Sequence, residues 1–342
     1  MRPSPSRHRP WRRRVSSRLS TSTGSVARRV VNSTLPDLAI DAPYRGRFAP
    51  SPTGPLHFGS LVAAVGSYLD ARRNGGTWLI RIEDLDRQRE VPGAADEILR
   101  TLETCGFAWD GPVIHQSART QAYREATDRL SELELTYACS CSRGEIARVA
   151  KPGIEGWVYP GTCRRGPAAD HKPKSLRLRT REQAIEFTDR VQGLCRQQLG
   201  REIGDFVIHR ADGIFAYQLA VVVDDAWQGI TEVVRGADLL LSTPRQLYLQ
   251  QLLGLPQPGY AHLPLAVDRA GRKLSKSYAA APVDPQAPLP ALLQALEFLG
   301  QPLPPQPPAN LEEFWAWATT NWRLEVVPNT PKRKPPSEWG RQ

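Results

Sequence analysis

The chain has 342 residues, of which 40% are hydrophobic and nine are Trp, enough for a sizeable packed core. No run of about 18 apolar residues occurs, which excludes a spanning helix and any membrane partnership built on one. The net charge of +10 is local: residues 1–36 hold nine Arg and no Lys, Asp or Glu, leaving 36 Lys+Arg against 35 Asp+Glu elsewhere.

Residues 1–42 therefore read as a basic, disordered arm, because Ser and Pro among arginines offer too little apolar surface to fold alone. The arm lacks the apolar core of a secretory signal, so a cytoplasmic protein is expected, with an organelle transit peptide as the alternative. Pro50-Ser51-Pro52-Thr53-Gly54-Pro55 forbids helix and forces an extended turn. From Leu56 the spacing of Leu61, Val62, Val65, Tyr68 and Leu69 is helical, and Asn74-Gly75-Gly76 stops it. Thr77–Ile82 reads as a buried strand ending in Glu83-Asp84-Leu85-Asp86. Strand, loop, helix and strand within about forty residues form a βαβ unit and call for a parallel sheet, so residues 43–135 are taken as the first half of a Rossmann-type α/β domain. Residues 94–104 and 119–134 are predicted helices within it.

Residues 136–204 read as an insertion whose stretch 138–167 is irregular and rich in Gly, Cys and Pro. A second β/α half follows over 205–281, with apolar runs at Phe206–Ile208, Ala216–Val223 and Ile230–Val234, a helix at Pro244–Leu253 and a strand at Leu263–Val267. The last 61 residues, 282–342, hold 13 of the 31 prolines around two short helices, Leu289–Leu299 and Leu311–Trp322, the second begun by Asn310 and Glu313. No internal repeat is found.

Two loops carry the chemistry. His57-Phe58-Gly59-Ser60 stands where the proline loop becomes a helix, and free backbone N–H groups there attract phosphate. Gly59 permits close approach, and His57 can donate to phosphate oxygens. Lys273-Leu274-Ser275-Lys276-Ser277 is a cationic loop after the last predicted strand. Both loops fall at carboxyl ends of strands, where open α/β sheets bind ligands. Together they suit a triphosphate, stabilising charge at the α-phosphate as pyrophosphate leaves.

The five cysteines do not form a disulfide framework, and the grouping of Cys139, Cys141 and Cys163 favours a reducing compartment and a metal. Zinc takes four tetrahedral ligands and is structural when all come from protein, so one place remains, for which His171 is the chemically conventional occupant. Asp224-Asp225 and Asp86 read either as magnesium ligands or as helix-end and solvated acids.

Arg47-Phe48-Ala49-Pro50-Ser51-Pro52-Thr53-Gly54, the H-x-G-S string, Arg81-Ile82-Glu83-Asp84 and Lys-Leu-Ser-Lys-Ser together resemble the glutamyl branch of the class I aminoacyl-tRNA synthetases, over about residues 45–278. Within that branch the pattern is most similar to the glutamyl-Q tRNA(Asp) synthetase family, including Ser60 where the general class has a second histidine. The resemblance implies an ATP-dependent ligase. It would activate L-glutamate as an adenylate without tRNA, magnesium accompanying ATP, and pass it to the queuosine base in the anticodon loop of tRNA(Asp). It also implies site residues. Arg47, Ser51, Glu83, Tyr217 and Arg235 match glutamate positions; His57, Gly59, Ser60 and Lys276 match ATP positions; His57, Lys273 and Lys276 match catalytic ones. The C-x-C…Y-x3-C pattern makes Tyr159 the fourth ligand of one structural zinc, against His171. With only 65 residues after Ser277, an anticodon-reading domain of about 100–200 residues is not expected. A monomer is expected. The rival readings are a compact glutamyl-tRNA synthetase charging the 3′ end of tRNA(Glu) and a non-catalytic glutamate- or nucleotide-binding regulator.

Overall fold

The computed structural model describes residues 43–167, 173–268, 271–273 and 282–335; the arm 1–42, His171, Lys276 and the rest of the loop 274–281 lie outside the described residues. Arg45–Phe48 (β1) runs into the proline loop, and α1 (Phe58–Arg73) begins where the prolines end. His57 caps that helix from an extended backbone, its Nδ1 accepting the Ser60 N–H at 3.3 Å. Phe58, Leu61, Ala64, Val65 and Leu69 are fully buried. Gly66 lies so close to Leu263 that a Cβ would come within 2.5 Å of that side chain, which lets α1 pack tightly on the strand beneath. Thr77–Ile82 (β2) returns parallel to β1, pairing Arg45 with Thr77 through to Phe48 with Ile80. The βαβ unit is present. After α2 (Ala94–Thr104), β3 (Ile114–His115) adds to β2 in the same direction, and α3 (Thr120–Glu132) closes this section.

The next section consists of short pieces: β4 (Thr136–Cys139), α4 (Arg143–Val149), β5 (Lys151–Gly153), β6 (Gly156–Val158), β7 (Ser175–Leu178), β8 (Ala184–Asp189), β9 (Gly193–Gln198), α5 (Leu199–Glu202) and β10 (Phe206–His209). β7 pairs antiparallel with both β4 and β10, while β5–β6 and β8–β9 are hairpins. The stretch expected to be irregular is thus partly ordered, and a Ser142–Glu145 capping box starts α4 within it.

The apolar run at 216–223 forms the helix α6 (Tyr217–Trp227). Three consecutive valines favour a strand, but Leu219 to Val222 are at most 1% exposed, and a helix enclosed on all sides tolerates them. β11 (Glu232–Gly236) and β12 (Gly259–Leu263) flank α7 (Thr243–Leu253) and pair in parallel. In place of the one strand expected at 263–267, β12 ends at Leu263, Pro264 breaks the ladder, and Leu265–Ala266 (β13) forms a separate short strand. Thr231, just before β11, gives its N–H to the Arg45 carbonyl at 3.0 Å, so the two parallel ladders lie side by side.

α8 (Pro288–Phe298) and α9 (Leu311–Asn321) pack on α1, with Phe298 edge-on to Phe58 at 5.6 Å and Trp315 against Tyr68 at 4.8 Å. Asn310 caps α9 through the Glu313 N–H, while the Glu313 carboxylate accepts from Ala309 rather than Asn310. Lys332–Arg333 (β14) pairs in parallel with β13. The Pro-rich tail therefore belongs to the same core as the first βαβ unit.

One buried carboxylate ties these parts together. Asp70 on α1, 1% exposed, accepts from Tyr44 Oη at 2.6 Å, Arg190 Nη1 at 3.0 Å and Trp322 Nε1 at 3.1 Å. Asp70→Ala leaves three donors without this acceptor and is expected to lower the unfolding free energy by about 3 kcal/mol or more. Asp70→Asn, which keeps the volume, should cost less; urea denaturation of both variants checks the order.

Candidate active site and thiol cluster

A cleft of ≈ 520 Å³ opens where the carboxyl ends of β1 and β11 meet the start of α1. Every described residue expected to meet glutamate or ATP lines it: Arg47, Ser51, His57, Gly59, Ser60, Glu83, Tyr217, Arg235 and Lys273. The placement follows from the connectivity, since β1 leads to a helix on one side and lies beside β11 on the other. The proline loop is held at the rim by the Glu83 N–H on the Pro50 carbonyl at 2.9 Å and the Val91 N–H on Pro52 at 2.9 Å.

On one side the groups suit phosphate. The N-terminus of α1 presents Gly59 and Ser60, and the His57 ring bridges both polar atoms of Ser60, with Nε2 3.1 Å from Oγ. Because Nδ1 accepts from the Ser60 amide, the ring proton belongs on Nε2. Pro282 forms a β-bridge with His57, and the Val283 N–H reaches the Leu56 carbonyl at 2.9 Å, so the chain emerging from the cationic loop returns to the first loop. Lys273 lines the same cleft and is ion-paired with Asp238. Lys276 is outside the described residues.

On the other side the groups suit an amino acid. Asp225, fully enclosed, receives Arg47 Nε at 3.1 Å and Arg81 Nη2 at 2.8 Å. Burial pushes its carboxyl up, but the two guanidinium groups outweigh burial and hold it below the usual carboxylate range. Asp225 takes the Nε–Nη2 edge of Arg47, so a substrate carboxylate would meet that guanidinium at its Nη1 end. Glu83 lies 3.5 Å from Arg81. Burial raises its carboxyl to about 6, with Arg81 and Arg47 opposing and Asp225 and Asp224 adding to the rise. A carboxylate so poorly solvated gains from an incoming ammonium. Arg235 donates to Gln246 Oε1 at 2.7 Å, Thr243 Oγ1 at 2.9 Å and Tyr217 Oη at 3.4 Å.

Asp224 accepts from Arg119 at 2.6 Å, Tyr123 at 2.6 Å and Gln116 at 2.8 Å, and Asp86 pairs with Arg210 at 2.9 Å. Asp224 and Asp225 are therefore neither solvated helix-end acids nor open magnesium ligands; they are buried partners of arginine. Sequence reasoning missed Arg81 and Asp225 as a pair and Asp238 as the partner of Lys273. The available signal was an arginine in the middle of an apolar strand, which must be compensated when buried.

In the second section Cys139, Cys141 and Cys163 bring their sulfurs within 4.8 Å of one another, a group that could hold a metal ion. Cys141 and Cys163 Sγ are 3.5 Å apart, and Tyr159 Oη lies 3.4 Å from Cys139 Sγ and 3.6 Å from Cys141 Sγ. Tetrahedral zinc with bonds of roughly 2.3 Å to sulfur needs ligand separations of about 3.8 Å, so the spacing fits. Tyr159 Oη accepts the Cys163 N–H at 3.0 Å, which leaves the oxygen facing the thiols. Burial pushes the Cys163 thiol up, yet the Ser140 amide with Tyr159 and Cys141 outweighs it and holds the thiol at about 6. His171 lies outside the described residues.

Residues 44–287 match the family model of class I tRNA synthetases (E and Q), catalytic domain. The chain is 57% identical over 292 residues to a glutamyl-Q tRNA(Asp) synthetase of Dechloromonas aromatica, covering 84% of this chain and 97% of that one. It is 55% identical over 295 residues to a protein of the same name from Chromobacterium violaceum, covering 86% and 99%. Among solved structures, a glutamate tRNA ligase from Elizabethkingia meningosepticum in complex with its amino acid superposes with a TM-score of 0.70 at 25% identity, covering 84% of this chain and 66% of that chain. A glutamate-tRNA synthetase from Elizabethkingia anophelis gives 0.71 at 25% identity, covering 87% and 69%. The fold, the cleft and these matches agree: the chain belongs to the class I tRNA synthetase (E and Q) family, within the group of glutamyl-Q tRNA(Asp) synthetases.

Proposed function

We propose that the protein activates glutamate with ATP in the β1–β11 cleft and transfers it to the queuosine base in the anticodon loop of tRNA(Asp). The observation that supports this reading is one cavity lined by the start of α1, by Lys273 and by the charged groups Arg47, Glu83 and Arg235. In the first step a carboxylate oxygen of glutamate bonds to the α-phosphorus of ATP, and the bond to pyrophosphate breaks. In the second a hydroxyl of the queuosine cyclopentene-diol bonds to the acyl carbon, losing its proton, and AMP leaves.

The residues act by position and charge. Glu83 takes the substrate ammonium. Arg47, Tyr217 and Arg235, with Ser51, hold its carboxylates. Gly59, Ser60 and His57 receive the α-phosphate, while Lys273 and Lys276 draw the departing pyrophosphate. Magnesium enters with ATP as part of the substrate. Cys139, Cys141, Cys163 and Tyr159 are assigned to one zinc ion, which serves to cross-link an insertion otherwise built of short strands.

Activation is expected without tRNA. Glutamate-dependent ATP–pyrophosphate exchange by the protein alone measures it, and absence of exchange at saturating substrates counts against the reading. His57→Ala and Lys276→Ala should each slow exchange by about 10²-fold or more, the scale of one lost charge contact in the transition state.

Elemental analysis of untagged protein is expected to give one zinc per chain. Tyr159→Phe should weaken retention against a chelator, whereas His171→Ala should not; the opposite order assigns the fourth place to His171.

The acceptor is tested with tRNA(Asp) from which the 3′-terminal adenosine has been removed. Acceptance of labelled glutamate should persist there and vanish in tRNA(Asp) lacking queuosine. Loss with the terminal adenosine, or acceptance without queuosine, would replace this reading by a compact enzyme charging tRNA(Glu) at its 3′ end.

A further inference from the structure

Arg235 and His262 are register partners on β11 and β12, and both are buried, His262 completely. The Arg235 Nε–H donates to His262 Nε2 at 3.0 Å. A guanidinium has no acceptor, so Nε2 must offer its lone pair and the imidazole proton must sit on Nδ1. That Nδ1–H meets Asp189 Oδ2 at 2.5 Å. Asp189 is itself immobilised: its Oδ1 accepts the N–H groups of Gln192 at 2.8 Å and of Val191 and His262 at 3.0 Å each. Thr243 Oγ1 also lies 3.2 Å from Nε2, and its hydroxyl can donate to the Leu239 carbonyl or to the ring; the arrangement that sets no donor against a donor runs from a saturated carboxylate through a neutral ring to the guanidinium. Burial keeps the ring neutral, lowering its pKa to about 4 against the opposing pull of Asp189, with Arg235 reinforcing burial. A second proton on Nε2 would set two donors against each other.

Asp189 comes from the β8–β9 hairpin, far along the chain from the cleft. We infer that Asp189 and His262 are positioning residues that fix the tautomer facing Arg235 and so hold its guanidinium against the amino-acid side of the cleft. The inference rests on reading Arg235 as a glutamate contact. It gives the hairpin a part in substrate recognition, because without Asp189 the ring loses the partner that selects its donor side.

Asp189→Asn is the sharp perturbation. Its amide can donate to Nδ1, moving the ring proton to Nε2, where it opposes Arg235. In ATP–pyrophosphate exchange this variant should raise the KM for glutamate about 10-fold or more, the KM for ATP staying within about 2-fold, since a small misplacement of a substrate clamp is costly. His262→Gln with Asp189 retained, whose Oε1 can accept from Arg235 while its amide donates to the carboxylate, should raise the glutamate KM far less than Asp189→Asn does; an equal rise in both variants marks a purely structural lesion and overturns the relay. Arg235→Lys is measured alongside. A glutamate KM unmoved by Arg235→Lys overturns the reading of Arg235 and the relay with it. A KM moved by Arg235→Lys but not by Asp189→Asn overturns the relay alone. Should Asp189→Asn fail to fold, the ¹⁵N shifts of His262 in the unaltered protein decide: an unprotonated Nε2 supports the relay, and a protonated Nε2 refutes it.

Discussion

Asp225 stands between two guanidinium groups, and most of the cleft depends on that arrangement. Arg47 arrives from the end of β1, Arg81 from β2 and Asp225 from the last turn of α6, so one carboxylate joins three elements. Buried charge of either sign is costly unless paired, and removal of one partner leaves the others uncompensated. The balance extends outward: Arg81 also touches Glu83 and donates to Gln228 at 2.6 Å. The cluster thus underlies one side of the cleft. Of its four charged groups Arg47 and Glu83 line the cavity, and the buried Asp225 and Arg81 pair with them.

The same logic governs the periphery. Asp70 accepts from groups before α1, from the turn after β8 and from the C-terminal tail, so segments far apart in sequence close on a single oxygen pair. Asp189 does likewise for the β8–β9 corner and β12. Each carboxylate replaces lost hydration with several fixed donors.

The thiol cluster shows what a small, loop-rich section needs. Its strands have three to six residues, and hairpins of that size hold little apolar area. Arg177 lies over the Tyr159 ring at 3.7 Å and directs Nε to Cys139 Sγ at 3.2 Å, bringing a positive charge to a site rich in thiols. Ligation would supply the cross-link that packing there does not.

Much of this was legible in the residues. Helical spacing after Leu56, the proline loop before it and the glycine stop after Asn74 are local effects, and the βαβ unit formed where they placed it. The passage from the prolines to the start of α1 was legible because strand ends and helix starts have fixed chemistry; of the cationic loop only Lys273 is among the described residues. What local pattern could not decide was the state of Ala216–Val223, since valine's preference for strands yields to burial on every side of a helix. Nor could it pair Arg81 with Asp225 or Asp189 with His262, because such partners are chosen by the packing of distant elements. Sequence by itself determined which segments carry charge into the interior; only the tertiary structure decided which opposite charge each would meet, because compensation of a buried ion acts through space over a few ångströms and is indifferent to separation along the chain.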